Sequence, residues 1–236
     1  MTGWRGRIGV IFPSDEVHEK EYWDFAPEGV SVHPTRFEIP ADITEENVRK
    51  FQEGDNLEKL ARQFTLIKPG CIIFSCTAGS FIRGHGMDQK IVERIGKAGM
   101  ARATTASTAI VAAIQALALK KVDVITPYLD ELNQRLKVFL EAHGIQVVSI
   151  GGFGLKGGFQ DVSPQHIYGM TLDHLSKHSD GVIISCTNLR VLDVLPFIER
   201  DSGRPVVSAN QASMWHALRL MGIKDKSVDK GLLFQQ

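Results

Sequence analysis

The sequence predicts an α/β protein with two pseudo-symmetric lobes, each a parallel sheet covered by helices on both faces. Three observations lead to this fold class. Short apolar runs alternate with segments of helical periodicity, the same order of signals occurs twice, and no Pro/Ser-rich linker separates the halves. The chain has 236 residues, 43% of them hydrophobic, which is enough to bury the core of one large domain or two closely packed lobes.

The alternation defines the individual elements. The apolar runs predict strands at residues 7–12, 30–37, 71–76, 122–126, 146–150, 182–186 and 205–208. Helical spacing of apolar residues predicts helices at 46–67, 107–119, 129–143, 165–177 and 212–221. Residues 38–56 and 151–164 are the least regular segments, and we expect them to form loops or flaps near a cleft.

An internal repeat divides the chain. RIGVIFPSDE near the start matches VDVITPYLDE, CIIFSCTAGS matches GVIISCTNLR, and TTASTA at 104–109 corresponds to VSANQA at 207–212. The matched positions lie between about 103 and 114 residues apart, which indicates duplication of a unit of roughly 110 residues. We therefore expect a first lobe at 1–112, whose last helices can pack on the other lobe, and a second at 113–236.

Composition excludes several classes of partner. Twenty-seven basic residues balance 27 acidic ones without a basic run, so neither nucleic acid nor a membrane surface is an expected partner. The apolar stretch before Pro13 is too short for a signal peptide, and three cysteines are an odd number for a disulfide framework, so we expect a cytoplasmic protein with reduced thiols. A small-molecule partner is expected, and a homo-oligomer remains open.

Two of the three cysteines carry the strongest functional signal. Cys76 and Cys186 each lie in a Ser-Cys-Thr triplet at the end of a predicted strand, before an expected helix start whose backbone N–H groups would favour the thiolate. Ligands of parallel sheets bind at the carboxyl ends of strands, so the duplication predicts two thiols that face each other across a cleft between the lobes. Cys71 opens its strand at the opposite end and is assigned to the core.

A thiolate that faces a thiol across a flat carboxylate suits three reactions. These are racemisation or epimerisation through an α-carbanion, cis-trans isomerisation through a covalent thioether, and decarboxylation with one thiol as proton donor. Each passes through an enediolate-type or comparable anion, which needs fixed hydrogen-bond donors. The candidates are the Thr77 hydroxyl, the backbone N–H groups of Ala78 and Thr187, and the Tyr128 phenol, whereas Ser75 and Ser185 alternate with the cysteines and point away.

Five segments together resemble a known family over nearly the whole chain: IGVIFPS, FSCTAGSFIRG, TPYLDELNQRL, DGVIISCTNLRVLDVLPFIER and PVVSANQASMWHALRL. The pattern is similar to that of the aspartate/glutamate racemase superfamily, in the branch of arylmalonate decarboxylases and maleate cis-trans isomerases. The resemblance implies flavodoxin-like lobes, catalysis without a cofactor or a metal, and Cys76 and Cys186 as the catalytic pair. The predicted substrate-binding residues are Pro13, Ser14, Glu16, Thr77, Ala78, Tyr128, Thr187 and Asn188.

Two departures refine this resemblance. The arylmalonate decarboxylases carry glycine at the position of Cys76, so the second thiol here favours an isomerase. Maleate isomerases read PSSN after the first strand, whereas this chain reads PSDE and has Glu16 in place of the asparagine. Since a carboxylate there would repel a dicarboxylate, we hypothesise a substrate with an amino or amidinium group beside its carboxylate.

The alternatives are a decarboxylase that uses Cys186 alone as proton donor and a non-catalytic protein that binds a small carboxylate. Two further motifs are given structural interpretations. GFGLKG at 152–157 matches a dinucleotide-binding pattern but precedes no apolar helix, so it is predicted to be a loop. His174 and His178 have the spacing of metal ligands but lack a third ligand nearby, so they are assigned to a solvated helix end.

Overall fold

The computed structural model describes residues 2–51 and 56–236, which form two four-stranded parallel sheets. The strands are β1 (Gly6–Pro13), β2 (Val30–Phe37), β3 (Cys71–Phe74), β4 (Arg102–Thr105), β5 (Lys121–Thr126), β6 (Gln146–Gly152), β7 (Gly181–Ile184) and β8 (Val206–Ser208). The helices are α1 (Lys20–Phe25), α2 (Glu45–Lys50), α3 (Asn56–Arg62), α4 (Thr77–Phe81), α5 (Met87–Gly99), α6 (Ala106–Ala116), α7 (Asp130–Glu141), α8 (Pro164–Asp173), α9 (Leu195–Ser202) and α10 (Ala209–Leu220). Short 3-10 turns lie at Thr65–Ile67, Phe159–Asp161 and Leu232–Gln235.

The two sheets have the same topology. Their strand orders are β2-β1-β3-β4 and β6-β5-β7-β8, and every neighbouring pair is parallel. This is the strand order of the first four strands of flavodoxin-like sheets. The predicted fold class, a duplicated α/β architecture, is confirmed.

Central strands β3 and β7 are buried along their whole length, because helices cover both faces of each sheet. The two halves also interlock. Helix α10 packs on α6 and against β3 and β4 of the first sheet, while α6 contacts β8 of the second. The expected division after residue 112 lies inside α6.

The pattern alone missed several elements. Strand β4 reads Arg-Ala-Thr-Thr, too short and too polar to stand out as an apolar run. Its buried threonines are accommodated because Thr104 hydrogen-bonds His216 at 2.8 Å and Thr105 caps α6. Helix α5 was missed because it buries few apolar side chains, chiefly Ile91 and Ile95. The short helices α1, α4 and α9 were also not predicted.

The single helix predicted at 46–67 is wrong. The described part of this segment forms α2, α3 and a 3-10 turn. Residues 52–55, which belong both to the predicted helix and to the predicted loop at 38–56, lie outside the described residues. Helix α2 begins at Glu45 because the Thr44 hydroxyl accepts a hydrogen bond from the Asn47 amide. The second predicted flap, 151–164, is largely irregular beyond the end of β6. None of the described helices has both the length and the apolar composition that a membrane span requires.

Gly99 closes α5 where the helix approaches β3 and α3 most closely. A Cβ at this position would lie 2.1 Å from Cδ1 of Ile72 and 3.2 Å from the carbonyl oxygen of Ala61. Gly99→Ala is therefore expected to lower the free energy of unfolding by about 1–3 kcal/mol, measured by urea denaturation. Gly169→Ala on α8 is the matched control, since its Cβ would meet nothing within 4 Å. A control as destabilising as the Gly99 variant would contradict this account.

Candidate active site

The two Ser-Cys-Thr triplets meet at the boundary between the lobes. Cys76 and Cys186 each lie two residues beyond the carboxyl end of a central strand, β3 and β7 respectively. The Thr187 hydroxyl donates a hydrogen bond to the backbone carbonyl of Ser75 at 3.3 Å, which joins one triplet directly to the other. The duplication thus brings equivalent strand ends into contact.

Both thiols line one cleft. The enclosed cavity measures about 30 Å³, within about 350 Å³ of empty space that includes its opening to solvent. Eight of the ten predicted site residues lie in its lining: Pro13, Cys76, Thr77, Ala78, Tyr128, Cys186, Thr187 and Asn188. The cleft is therefore narrow, and its occupant must be small or must enter as the walls move apart.

Apolar side chains from the two segments predicted as loops or flaps, 38–56 and 151–164, form much of the cleft wall. Ile39, Ile43 and Phe51 come from the first segment and Phe159 from the second. The segments are joined to each other, because the Ile43 amide donates to the carbonyl of Lys156 at 2.6 Å. The expected position of the two segments near the cleft matches the structure, although the sequence pattern did not single out the three residues of the first.

Cys76 is the N-cap of α4, and its Sγ accepts a hydrogen bond from the Gly79 amide at 3.3 Å. This local arrangement is the one predicted, but its consequence is not. Burial raises the pKa of the Cys76 thiol to about 12, against the smaller opposing effect of the Gly79 amide. The carboxyl groups of Asp15 and Glu16 raise this pKa further. The expectation of a lowered thiol pKa is therefore wrong for the free protein.

Cys186 has a different local setting. A turn at residues 187–188 follows it, and the next helix, α9, begins only at Leu195, so the predicted helix start is wrong here. Burial raises the pKa of Cys186 well above its ordinary value, although hydrogen bonds from the Asn188 amide and the Tyr128 phenol lower it. In the free protein Cys186 is a neutral thiol, which can donate a proton.

Tyr128 lies between the two halves of the site. Its ring is edge-on to Phe81 and Phe159, with centroids 6.1 and 5.6 Å away, and its phenol lies close enough to the Cys186 thiol to lower the pKa of that thiol. Burial, followed by the nearby thiols Cys186 and Cys76, raises the pKa of Tyr128, so the phenol remains a hydrogen-bond donor.

The Thr77 hydroxyl is buried beside the phenol and, among the described residues, has no hydrogen-bond partner of normal geometry. Two hydroxyl groups of the cleft can therefore stabilise an anion that forms between the sulfurs.

Asn188 is engaged in the protein itself. Its Nδ2 donates to the backbone carbonyl of Asp15 at 2.9 Å, and its Oδ1 accepts from the Val17 amide at 3.3 Å. The side chain thus holds the loop after β1 against the second lobe. Another contact fixes the same loop, because the His18 ring hydrogen-bonds the carbonyl of Gln160 at 3.1 Å.

Two predicted residues, Ser14 and Glu16, lie outside the cleft lining that the described residues form. Ser14 is exposed, and its hydroxyl accepts a hydrogen bond from the Ile39 amide at 3.2 Å. Glu16 is 2% exposed, and one of its carboxyl oxygens accepts from the His18 amide at 2.8 Å. Burial raises the pKa of Glu16 to about 8, so near neutral pH its carboxyl is mostly protonated. A protonated carboxyl group outside the lining carries no charge that would repel a dicarboxylate, so the argument from Glu16 does not hold.

The acidic residue that does line the cleft is Asp15, which is not among the substrate-binding residues predicted from the sequence. The sequence around the PSDE segment does not indicate which of its two adjacent acidic residues, Asp15 or Glu16, lines the cleft. The choice between two adjacent carboxylates depends on how the loop turns after β1.

The two motifs given structural interpretations lie on a loop and at a helix end. Among residues 2–51 and 56–236, no three His, Cys, Asp or Glu side chains are grouped to hold a metal ion. His174 instead hydrogen-bonds the carbonyl of Met170 at 2.9 Å. The GFGLKG segment follows the end of β6, and α8 does not begin until Pro164, so the predicted loop is confirmed. Cys71 is fully buried in the core, also as predicted.

Fold and site together define a duplicated α/β protein with one cysteine from each lobe in a shared cleft. Residues 43–234 match the family model described as arylmalonate decarboxylase, and the chain belongs to this family. The arylmalonate decarboxylase of Bordetella bronchiseptica is 31% identical over 163 residues, which cover 66% of this chain and 68% of that protein.

Maleate isomerases are similar over a longer range. The enzyme of Geobacillus stearothermophilus is 22% identical over 246 residues, covering 96% of each chain. A maleate cis-trans isomerase of Nocardia farcinica, solved with a covalently bound succinylcysteine intermediate, superposes with a TM-score of 0.91 at 19% identity and 98% coverage of both chains. The family resemblance inferred from the five sequence segments is confirmed.

Proposed function

We propose that this chain is a cofactor-independent enzyme that acts on a small carboxylate, with Cys76 and Cys186 as its reacting groups. The observation that carries the proposal is the presence of both thiols and the Tyr128 phenol in one narrow cleft. The arylmalonate decarboxylase and maleate isomerase relatives support this chemical class.

Isomerisation is the favoured reaction, because only isomerisation needs the second thiol. In a racemase or epimerase, one thiol first releases its proton to water, and its thiolate then removes the α-proton. The electron pair remains as an enediolate, and the opposite thiol donates a proton to the other face.

In a cis-trans isomerase, one thiolate forms a carbon–sulfur bond to an electron-poor double bond while the other thiol protonates the adjacent carbon. After rotation, the second sulfur takes a proton back from that carbon, the carbon–sulfur bond breaks to release the first thiolate, and the double bond is restored. The succinylcysteine of the Nocardia relative is the adduct that thiol addition to maleate produces.

Decarboxylation is the second candidate, favoured by the family match and by the neutral thiol at Cys186. The carbon–carboxylate bond breaks, its electrons remain on the α-carbon, and the Cys186 S–H protonates that carbon. Water then reprotonates the sulfur. Cys76 has no required part in these steps.

Cys76→Ser separates the two reactions. Maleate, amino acids and arylmalonates are supplied in deuterated buffer, and geometric isomers, α-deuterium and carbon dioxide are measured for wild type and variant. We expect the wild type to isomerise or exchange one of these classes and the variant to lose at least about 100-fold of that rate, as when a general acid or base is removed.

Carbon dioxide release that survives Cys76→Ser would instead establish the decarboxylase. Binding without exchange, isomerisation or release in the wild type would refute an enzyme and leave a carboxylate-binding protein.

A further inference from the structure

Asp15 provides the charge that the cleft presents to its occupant. Among the described lining residues it is the only one with an acidic or basic side chain. Its Oδ1 is buried and accepts no hydrogen bond from the described part of the chain. The other side chains of the lining are apolar or neutral and polar. A carboxylate oxygen in such surroundings is costly unless a donor from the occupant reaches it.

Arg36, the cation whose charge lowers the pKa of Asp15, donates its hydrogen bonds to other acceptors. The Arg36 guanidinium donates to the backbone carbonyls of Pro13 and Glu16 and to the Glu19 carboxylate. Burial raises the pKa of Asp15, and the Asn188 side chain and the Arg36 charge offset only part of this effect. The protein therefore leaves Asp15 partly uncompensated.

We propose that Asp15 recognises a cationic hydrogen-bond donor, such as a primary ammonium or an amidinium group, on the carboxylate that the cleft binds. The inference rests on the proposed small-carboxylate site and moves recognition of this group from Glu16, where the sequence suggested it, to Asp15. An N–H of the cation gives Asp15 Oδ1 its partner in a charge-assisted hydrogen bond.

A dicarboxylate fits the same lining poorly. Its second carboxylate would place one more anion near Asp15, while the described wall residues Ile39, Ile43 and Phe159 contribute no positive charge. A ligand with one carboxylate and one cationic group adds no net charge to the cleft and satisfies the unpartnered oxygen.

The test is calorimetric binding of matched ligand pairs to the full chain. Glycine is compared with malonate, β-alanine with succinate, and 4-aminobutyrate with glutarate. The two ligands of a pair share one carboxylate and the same methylene spacer, and they differ only in the second group, which is an ammonium or a carboxylate. We expect wild type to bind at least one aminocarboxylate about tenfold more tightly than its dicarboxylate partner, the ratio that 1.4 kcal/mol represents.

Asp15→Asn should abolish or reverse this preference, because an amide keeps the shape but removes the charge. Glu16→Gln is the matched control and should leave the preference unchanged, and thermal unfolding checks that each variant is folded. Tighter binding of the dicarboxylates by wild type, binding of no ligand in the panel, or reversal by Glu16→Gln instead of Asp15→Asn would overturn the proposal.

The readout is binding and requires no turnover. A protein that prefers aminocarboxylates through Asp15 but fails the deuterium test would retain this inference and lose the proposed catalysis. Turnover of maleate that depends on both cysteines, with no ligand preference set by Asp15, would support the proposed catalysis and refute this inference.

Discussion

Cys186→Ser is expected to reduce turnover at least about 1000-fold, because isomerisation and decarboxylation both need a proton or a bond from this sulfur. Alcohol groups are far weaker acids than thiols, so serine cannot replace Cys186 in either step. The Asn188 amide and the Tyr128 phenol, which lower the pKa of Cys186, can still donate to a serine hydroxyl at this position. Folding should therefore be retained.

The measurement is the rate of α-proton exchange, isomerisation or carbon dioxide release, with urea denaturation as the check on folding. Cys71→Ala provides a matched control, since Cys71 is buried at the amino end of β3, the end opposite to the cleft. It should keep its turnover while losing about 1 kcal/mol of stability to the missing buried group. Full activity in Cys186→Ser would eliminate both proposed mechanisms.

Glu21→Ala is expected to lower the free energy of unfolding by about 3 kcal/mol or more. Glu21 lies on α1 of the first lobe and is 5% exposed, and the hydrogen bonds described for its carboxyl group all come from the second lobe. Its donors are the amides of Val191 and Leu192, at 2.8 and 2.7 Å, and Nδ2 of Asn210 at 2.8 Å. Without the carboxylate these buried donors lose their acceptor, at about 1–3 kcal/mol each.

The same change should disturb the site. Asn210 also donates to the carbonyl of Thr187 at 2.8 Å, so Glu21 and Asn210 together fix the segment that follows Cys186. Glu21→Gln is the matched variant. It keeps an oxygen for the Val191 and Leu192 amides and should cost clearly less than Glu21→Ala in urea denaturation. Equal losses for the two variants would show that the acceptor role is unimportant.

Glu21 also gives stability a pH dependence. Burial raises the pKa of its carboxyl from 4.5 to about 7, despite the donors that lower it. The folded state thus binds this proton more tightly than the unfolded state does, and stability falls as pH rises from about 4.5 to about 7. Glu21→Gln should reduce the difference in stability between pH 5 and pH 8, while Glu16, with a pKa of about 8, keeps a contribution of the same sign.

Much of the fold followed from local patterns. The apolar runs located seven strands because buried parallel strands are nearly continuous in apolar residues, as in Cys71–Phe74 and Gly181–Ile184. Strand β4 was not predicted because it lies at the edge of its sheet, where a strand needs fewer apolar side chains. The end of α2 at Lys50 also could not be seen, since helical spacing continues beyond it in the sequence.

The sequence by itself determined the duplication, the two Ser-Cys-Thr strand ends and the family, because repeated motifs encode strand ends directly. Tertiary structure alone decided the protonation of the thiols, since burial is a property of the assembled lobes and outweighs the local amide at Cys76. It also decided which of two adjacent carboxyl groups lines the cleft. Asp15 does and Glu16 does not, because the loop after β1 is held by Asn188 from the opposite lobe.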